Sequence, residues 1–113
     1  MQLVYLPINR EKIKYRPDRL IISLRGQQLV FRTSYNPVDK AFYCDILTRN
    51  EEPILQGRRL VYGGDLFEST HDERIPKLKI VPLDPSGEAD QEGITWSNFM
   101  RDVKPYIFAA GDS

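Results

Sequence analysis

The sequence has a single cysteine, Cys44, and a single histidine, His71, in 113 residues. One thiol excludes an intramolecular disulfide and any multi-cysteine zinc cluster. No Gly-x-Ser-x-Gly nucleophile motif occurs, and one histidine leaves little from which to build a catalytic triad. No apolar run approaches the roughly 20 residues that a membrane helix needs. The first fifteen residues, MQLVYLPINREKIKY, lack the apolar stretch of a cleaved signal, so synthesis and folding in the cytoplasm are expected. Excess charge is absent as well: 16 Lys and Arg balance 16 Asp and Glu. The isoelectric point near 6.6 lies far from the values above about 9 that mark a strong nucleic-acid binder.

What is present is the composition of an ordinary folded chain. It is 41% hydrophobic and 28% charged, which excludes disorder throughout. The length suits one domain over residues 1–113, able to bury about 60–70% of its unfolded surface. The charge balance conceals a split. Residues 1–50 hold nine Lys and Arg against four Asp and Glu, and residues 51–113 hold seven against twelve. Either the two halves interleave and the charges mix, or the protein has a basic face and an acidic face. The second case suits docking between unlike surfaces.

The hydrophobic pattern has the period of two that marks strands. Over residues 19–24, Leu20, Ile22 and Leu24 share a face, and Gly26-Gln27 then permits a tight connection. Residues 28–34 form a second strand, in which Leu29, Phe31 and Thr33 alternate with Val30, Arg32 and Ser34. Asn36, Pro37 and Asp39 build a turn, each for its own conformational reason. Residues 41–47 form a third strand, with Phe42, Cys44 and Ile46 on one side and Tyr43 and Asp45 on the other. After a polar turn at 49–53, Gly57 interrupts a strand-like run and predicts a bulge or a close backbone approach. Gly63-Gly64 predicts a sharp bend, with Leu66 and Phe67 entering the core from a loop. Residues 77–83 form a strand with Pro76 and Pro82 at its ends or at an edge. Residues 84–93 form a solvated acidic loop. Trp96, Phe99 and Met100 stand at helical spacing and predict a short helix. Residues 105–109 form the last strand, 1–17 an N-terminal arm and 110–113 a tail. The expected fold is all-β: a small antiparallel sandwich or partly closed barrel of about six or seven strands, with one short helix near the C-terminus.

The chemistry-bearing residues read blandly. His71 lies in a polar loop, and polar side chains there are ordinarily exposed. Cys44 sits in an apolar strand as a small hydrophobe, with no cationic helix start to activate it. Asp84, Glu88, Asp90 and Glu92 carry oxygen ligands, but their spacing does not match an EF-hand loop. Glu51-Glu52 lies in a turn with no pocket for acid–base work. No enzyme, metal or cofactor is expected. Arg10, Lys12, Lys14, Tyr15, Arg16 and Arg19, joined by Arg25, Arg32, Arg58 and Arg59, interleave cations with an aromatic ring. A small nucleic-acid-binding β-barrel is therefore the alternative reading.

The order of segments adds more. Leu29 to Pro37 is followed by the aromatic-aromatic-x-Asp-Ile strand Phe42-Tyr43-Cys44-Asp45-Ile46. The block Gly57 to Phe67 comes next, then a late Leu-x-Ile-Val strand and an aromatic C-terminal strand. Over roughly residues 18–108 this resembles the phage baseplate plug family, small structural proteins of contractile tails. The resemblance implies a non-enzymatic virion protein, assembled in the bacterial host cytoplasm, that packs at the tail tube–hub/spike junction. It would help to close the tail channel. Its implied partners are hub, spike, tail tube and further copies of itself, with neither membrane nor nucleic acid. Cyclic assembly about a tail axis uses contacts in which one face meets a different face of the next copy. For such contacts the expected residues are Arg58, Arg59, Tyr62 and Asp65. Asn36, Pro37, Gly57, Gly63 and Gly64 are expected to shape turns.

Overall fold

The computed structural model describes residues 4–109, so the expected tail at 110–113 lies outside the described residues. Seven strands follow in chain order: β1 Val4–Tyr5, β2 Asp18–Leu24, β3 Gln27–Asn36, β4 Ala41–Thr48, β5 Pro53–Arg59, β6 Leu78–Leu83 and β7 Lys104–Ala109. They form two antiparallel sheets, one ordered β2-β3-β4-β5 and the other β1-β7-β6. The sheets do not close into a barrel, which leaves the open two-sheet arrangement of the two expected architectures.

The first sheet is a meander whose alternation sets its inner face. Leu24, Leu29, Phe31, Phe42, Cys44 and Ile46 are buried in one cluster. That cluster also takes Ile80 from β6, Leu60, Leu66 and Phe67 from the connection after β5, and Leu6, Ile8 and Ile13 from the N-terminal segment. Each large apolar side chain removed from water contributes about 1.5–3 kcal/mol, so this shared cluster is what holds the two sheets together. The β2–β3 connection is the two residues Arg25 and Gly26, with φ of 49° and 80°. Two consecutive positive φ values give a type I′ turn, whose twist matches that of the strands it joins. At the next turn Asn36 Oδ1 accepts hydrogen bonds from the amides of Val38 (2.9 Å) and Asp39 (3.3 Å), with Pro37 between.

The expected C-terminal helix is absent. Trp96 and Phe99 do pack into the core region, where Phe42 meets Phe99 at 4.2 Å and Trp96 at 6.0 Å between ring centroids. The chain makes two i→i−4 hydrogen bonds there, from the Phe99 amide to the Thr95 carbonyl at 3.0 Å and from the Asp102 amide to the Asn98 carbonyl at 2.9 Å. Thr95 and Asn98 cap this turn reciprocally, Asn98 Oδ1 accepting the Thr95 amide (2.8 Å) and Thr95 Oγ1 the Asn98 amide (3.1 Å), while Asn98 donates to the Gly93 carbonyl (2.8 Å). Met100 turns to a φ of 66°, which ends any helical continuation. The spacing of Trp96, Phe99 and Met100 is thus that of an aromatic loop folded onto the core.

The N-terminal segment crosses to the far end of the chain. Val4 and Tyr5 pair with Ile107 and Tyr106. Arg10 donates to the carbonyls of Trp96 (2.8 Å) and Ser97 (3.2 Å), and its guanidinium stands 5.3 Å from the centre of the Trp96 ring. This contact fastens the start of the chain to the aromatic loop near its end.

Candidate assembly surface

Residues 57–67 leave the first sheet and cross to the second, and they carry the four residues singled out as contacts. Gly57, with a φ of 64°, lies where the β4–β5 register shifts, and its amide donates to Asp45 Oδ1 at 2.7 Å. A side chain would find open space there but a disfavoured backbone conformation. Gly63 sends its amide to the Pro82 carbonyl at 2.8 Å, which joins the bend to β6. A Cβ at Gly64 would stand 3.3 Å from that of Val61, so close approach accounts for this glycine.

The four contact candidates have different local duties. Asp65 is a strut: its Oδ1 accepts from the amides of Phe67 (3.1 Å) and Ile80 (3.0 Å), tying the loop to β6. Tyr62 is a latch, donating its hydroxyl to Asp90 and accepting the Asp84 amide at 3.1 Å. Its phenol is held above the usual range, first by the bond to the Asp90 carboxylate. Arg58 is half-buried and donates to Thr70 Oγ1 at 3.0 Å. Arg59 is exposed and makes no salt bridge among the described residues. It stands between two shallow hollows. One, about 430 Å³, is bordered by Lys40, Tyr62, Glu92 and Ile94; the other, about 250 Å³, by Val61, Asp65 and Glu68. The bend therefore gathers Arg59, Lys40, Glu92 and Glu68 around the exposed apolar side chain of Val61, which is 55% exposed. Val61 was not among the sequence-derived candidates. Nothing in its local pattern separates it from Leu60, which is buried.

The acidic loop is anchored at its start. Asp84 is buried, its carboxylate accepting from the Ser86 amide (2.9 Å), the Ser86 hydroxyl (2.7 Å) and the Ala89 amide (3.1 Å). These bonds, the one to the Ser86 hydroxyl foremost, lower the Asp84 pKa. Glu88, Asp90 and Glu92 remain on the surface.

His71 is exposed at the rim of an open hollow floored by Phe67, Ile75 and Leu78. The neighbouring Asp72 carboxylate is engaged by Arg74, at 2.9 Å and 2.6 Å, rather than by the imidazole. That pairing holds Asp72 at about 2. Cys44 lies under Thr33, whose hydroxyl donates to the sulfur at 3.7 Å, and burial pushes the thiol up to about 12. No group of three His, Cys, Asp or Glu among the described residues is arranged to hold a metal ion.

The fold is thus a two-sheet β domain whose crossing bend carries exposed charge around an exposed apolar side chain. A family model described as cyanophage baseplate Pam3 plug gp18 matches residues 3–110, and the chain belongs to this family of phage baseplate plug proteins. The match extends through the N-terminal segment, beyond the residues 18–108 over which the resemblance was legible. No curated protein matches the chain.

Proposed function

We propose that this baseplate protein packs at the junction of tail tube, hub and spike and helps to close the tail channel, without enzymatic activity. The observation that carries the reading is the family match across nearly the whole chain. The physical features agree with it. A part that must withstand assembly gains from loops fixed by internal hydrogen bonds, as at Asp65, Tyr62 and Asp84. Arg59, the half-buried Arg58 and the exposed Val61 form the centre of one contact, with Tyr62 and Asp65 holding the bend in shape. The acidic loop beside it supplies carboxylates for a basic neighbour. Hub, spike, tail tube and further copies of this chain are the proposed neighbours, and assembly takes place in the host cytoplasm.

Cryo-electron microscopy of intact tails tests this directly. Density for this chain is expected around the channel where the tube meets the hub. Tails in which the chain lies elsewhere in the baseplate, or leaves the channel open, would refute the placement.

A further inference from the structure

Each sheet in this protein has two edges, and three of the four are blunted. On β6 the outward backbone groups are taken. The Ile80 amide donates to Asp65 at 3.0 Å, the Ile80 carbonyl accepts from Leu66 at 2.8 Å, and the Pro82 carbonyl accepts from Gly63 at 2.8 Å. On β5 the ladder is broken by two register shifts and by the turn of Gly57 toward Asp45. Among the described residues β1 is two residues long. These are the devices by which sheet proteins avoid unplanned pairing: a covering loop, a bulge and a short edge.

β2 has none of them. It is seven residues long, pairs with β3 in unbroken register, and contains no proline or lysine. The two-residue turn makes Leu24 and Gln27 the closing hydrogen-bonded pair. Alternation then directs the amides and carbonyls of Arg19, Ile21 and Ser23 away from β3. No hydrogen bond from another described residue reaches them. Their side chains are exposed too, and at the centre Ile21 is 54% exposed beside the fully buried Val30, its register partner.

We propose that this edge is a strand-addition site, and that its occupant is an extended acidic segment of a neighbouring protein. The edge supplies main-chain hydrogen bonds and Ile21 an apolar contact, which are the requirements of strand addition. Charge selects the occupant. Arg16 precedes β2, Arg25 follows it and Arg19 lies along it, with Lys14 just upstream. Arg19 is paired with Glu51 at 2.9 Å, whereas Lys14, Arg16 and Arg25 make no salt bridge among the described residues. A second copy offering its own β2 antiparallel, centred on Ile21, would bring Arg25 against the Arg16–Pro17 end of the first. Arg16 and Arg25 are then neighbours at both ends, and although Asp18 offsets one of these charges, the remaining excess of like charge disfavours that pairing. An acidic strand meets opposite charge at both ends instead. The inference deepens the baseplate reading by naming the chemistry of one neighbour, and it rests on that reading only for where the neighbour is found.

Amide hydrogen exchange, followed residue by residue, tests it in two settings. In the isolated protein the probe is a blocked peptide of alternating valine and glutamate, about eight to ten residues long to match the strand. Its lysine counterpart is the control. The glutamate peptide is expected to slow exchange at Arg19, Ile21 and Ser23. Ile21→Pro removes one outward donor while sparing the bonds to β3, and is expected to weaken binding about tenfold. Should that variant unfold, Ser23→Pro makes the same test at the next outward amide. Equal binding of the lysine peptide, unchanged affinity in the folded proline variant, or no slowing at these amides would overturn the proposal. So would equal slowing by a single-stranded oligonucleotide, which would reduce the site to charge alone. In purified tails the same three amides are expected to be protected, with an acidic strand resolved on β2. A chain present in the tail with these amides still exchanging freely overturns the edge proposal and leaves the baseplate reading intact. A chain absent from the tube–hub junction overturns that placement, and the peptide results then judge the edge alone.

Discussion

Cys44 and Asp65 show how differently two polar side chains serve one fold. Cys44 is enclosed by the apolar face of the first sheet, where a thiolate has neither water nor a cation. Its folded pKa of about 12 stands above the unfolded value of about 8.5. The neutral thiol is therefore favoured by folding. The resulting stability is fully present below the unfolded value and is lost as pH rises toward the folded one. Tyr43 and Tyr62 shift in the same direction, each through a hydrogen bond donated to a carboxylate. Folded protein at pH 8 is expected to resist alkylation at Cys44 and to label fully once denaturant is added. Rapid labelling of the folded protein, followed by mass spectrometry, would contradict this burial. Asp65 serves by geometry instead: one carboxylate oxygen accepts the amides of both Phe67 and Ile80.

That bond pair matters most for an element, the β6 edge. The connection between Leu60 and Phe67 is a cover for β6, fixed by the Gly63 and Leu66 amides and by the Asp65 carboxylate. Asp65→Ala removes the acceptor of the Phe67 and Ile80 amides and is expected to cost about 2 kcal/mol, seen as a lower urea midpoint with an unchanged slope. A loss below about 0.5 kcal/mol would show that water replaces the carboxylate at no cost. Pro82 fits this edge for the same reason. It stands opposite Pro105, so neither ring deprives the ladder of a donor. β5 is shaped by Gly57, where the strand breaks register and directs Arg58 and Arg59 toward the bend. β2, regular and uncovered, contrasts with both.

The topology of the whole molecule explains the uneven charge. β2, β3 and β4 come from the basic half of the chain, whereas β6 and β7 come from the acidic half. Each half lends one strand to the other's sheet: β1 joins β7, and β5 joins β4. Charges of the two halves nonetheless mix: Arg19 pairs with Glu51, Lys40 borders one hollow with Glu92, and Arg58 and Arg59 border the other with Asp65 and Glu68. Reversing both, as Arg58→Glu with Arg59→Glu, is expected to block incorporation into tails while leaving the melting temperature within a few degrees. Normal tails carrying the double variant would remove these residues from the contact. Added salt should weaken the same contact when purified components are mixed, because exposed charges are screened over about 10 Å at 0.1 M.

Much of this was legible in the residues. Alternation placed Phe31, Phe42, Cys44 and Ile46 inward because the pleat of a strand leaves each side chain only two directions. Asn36 and Gly57 announced their turn and bulge through local conformational preference. The same alternation puts Ile21 opposite Leu20 and Ile22, a sign that an apolar side chain faces outward. Helical spacing misled at Trp96, Phe99 and Met100, because a tertiary aromatic cluster and a single capped turn, ended by the positive φ of Met100, satisfy that pattern without a helix. Chain order also carried the family resemblance. Local sequence thus determined the strands, their inner faces and the class of protein. Only the tertiary structure decided that Val4 meets Ile107, that Asp65 seals β6, and that β2 keeps a long edge unpaired among the described residues. Those outcomes depend on which distant segments share the core, and no short window of sequence contains both members of such a pair.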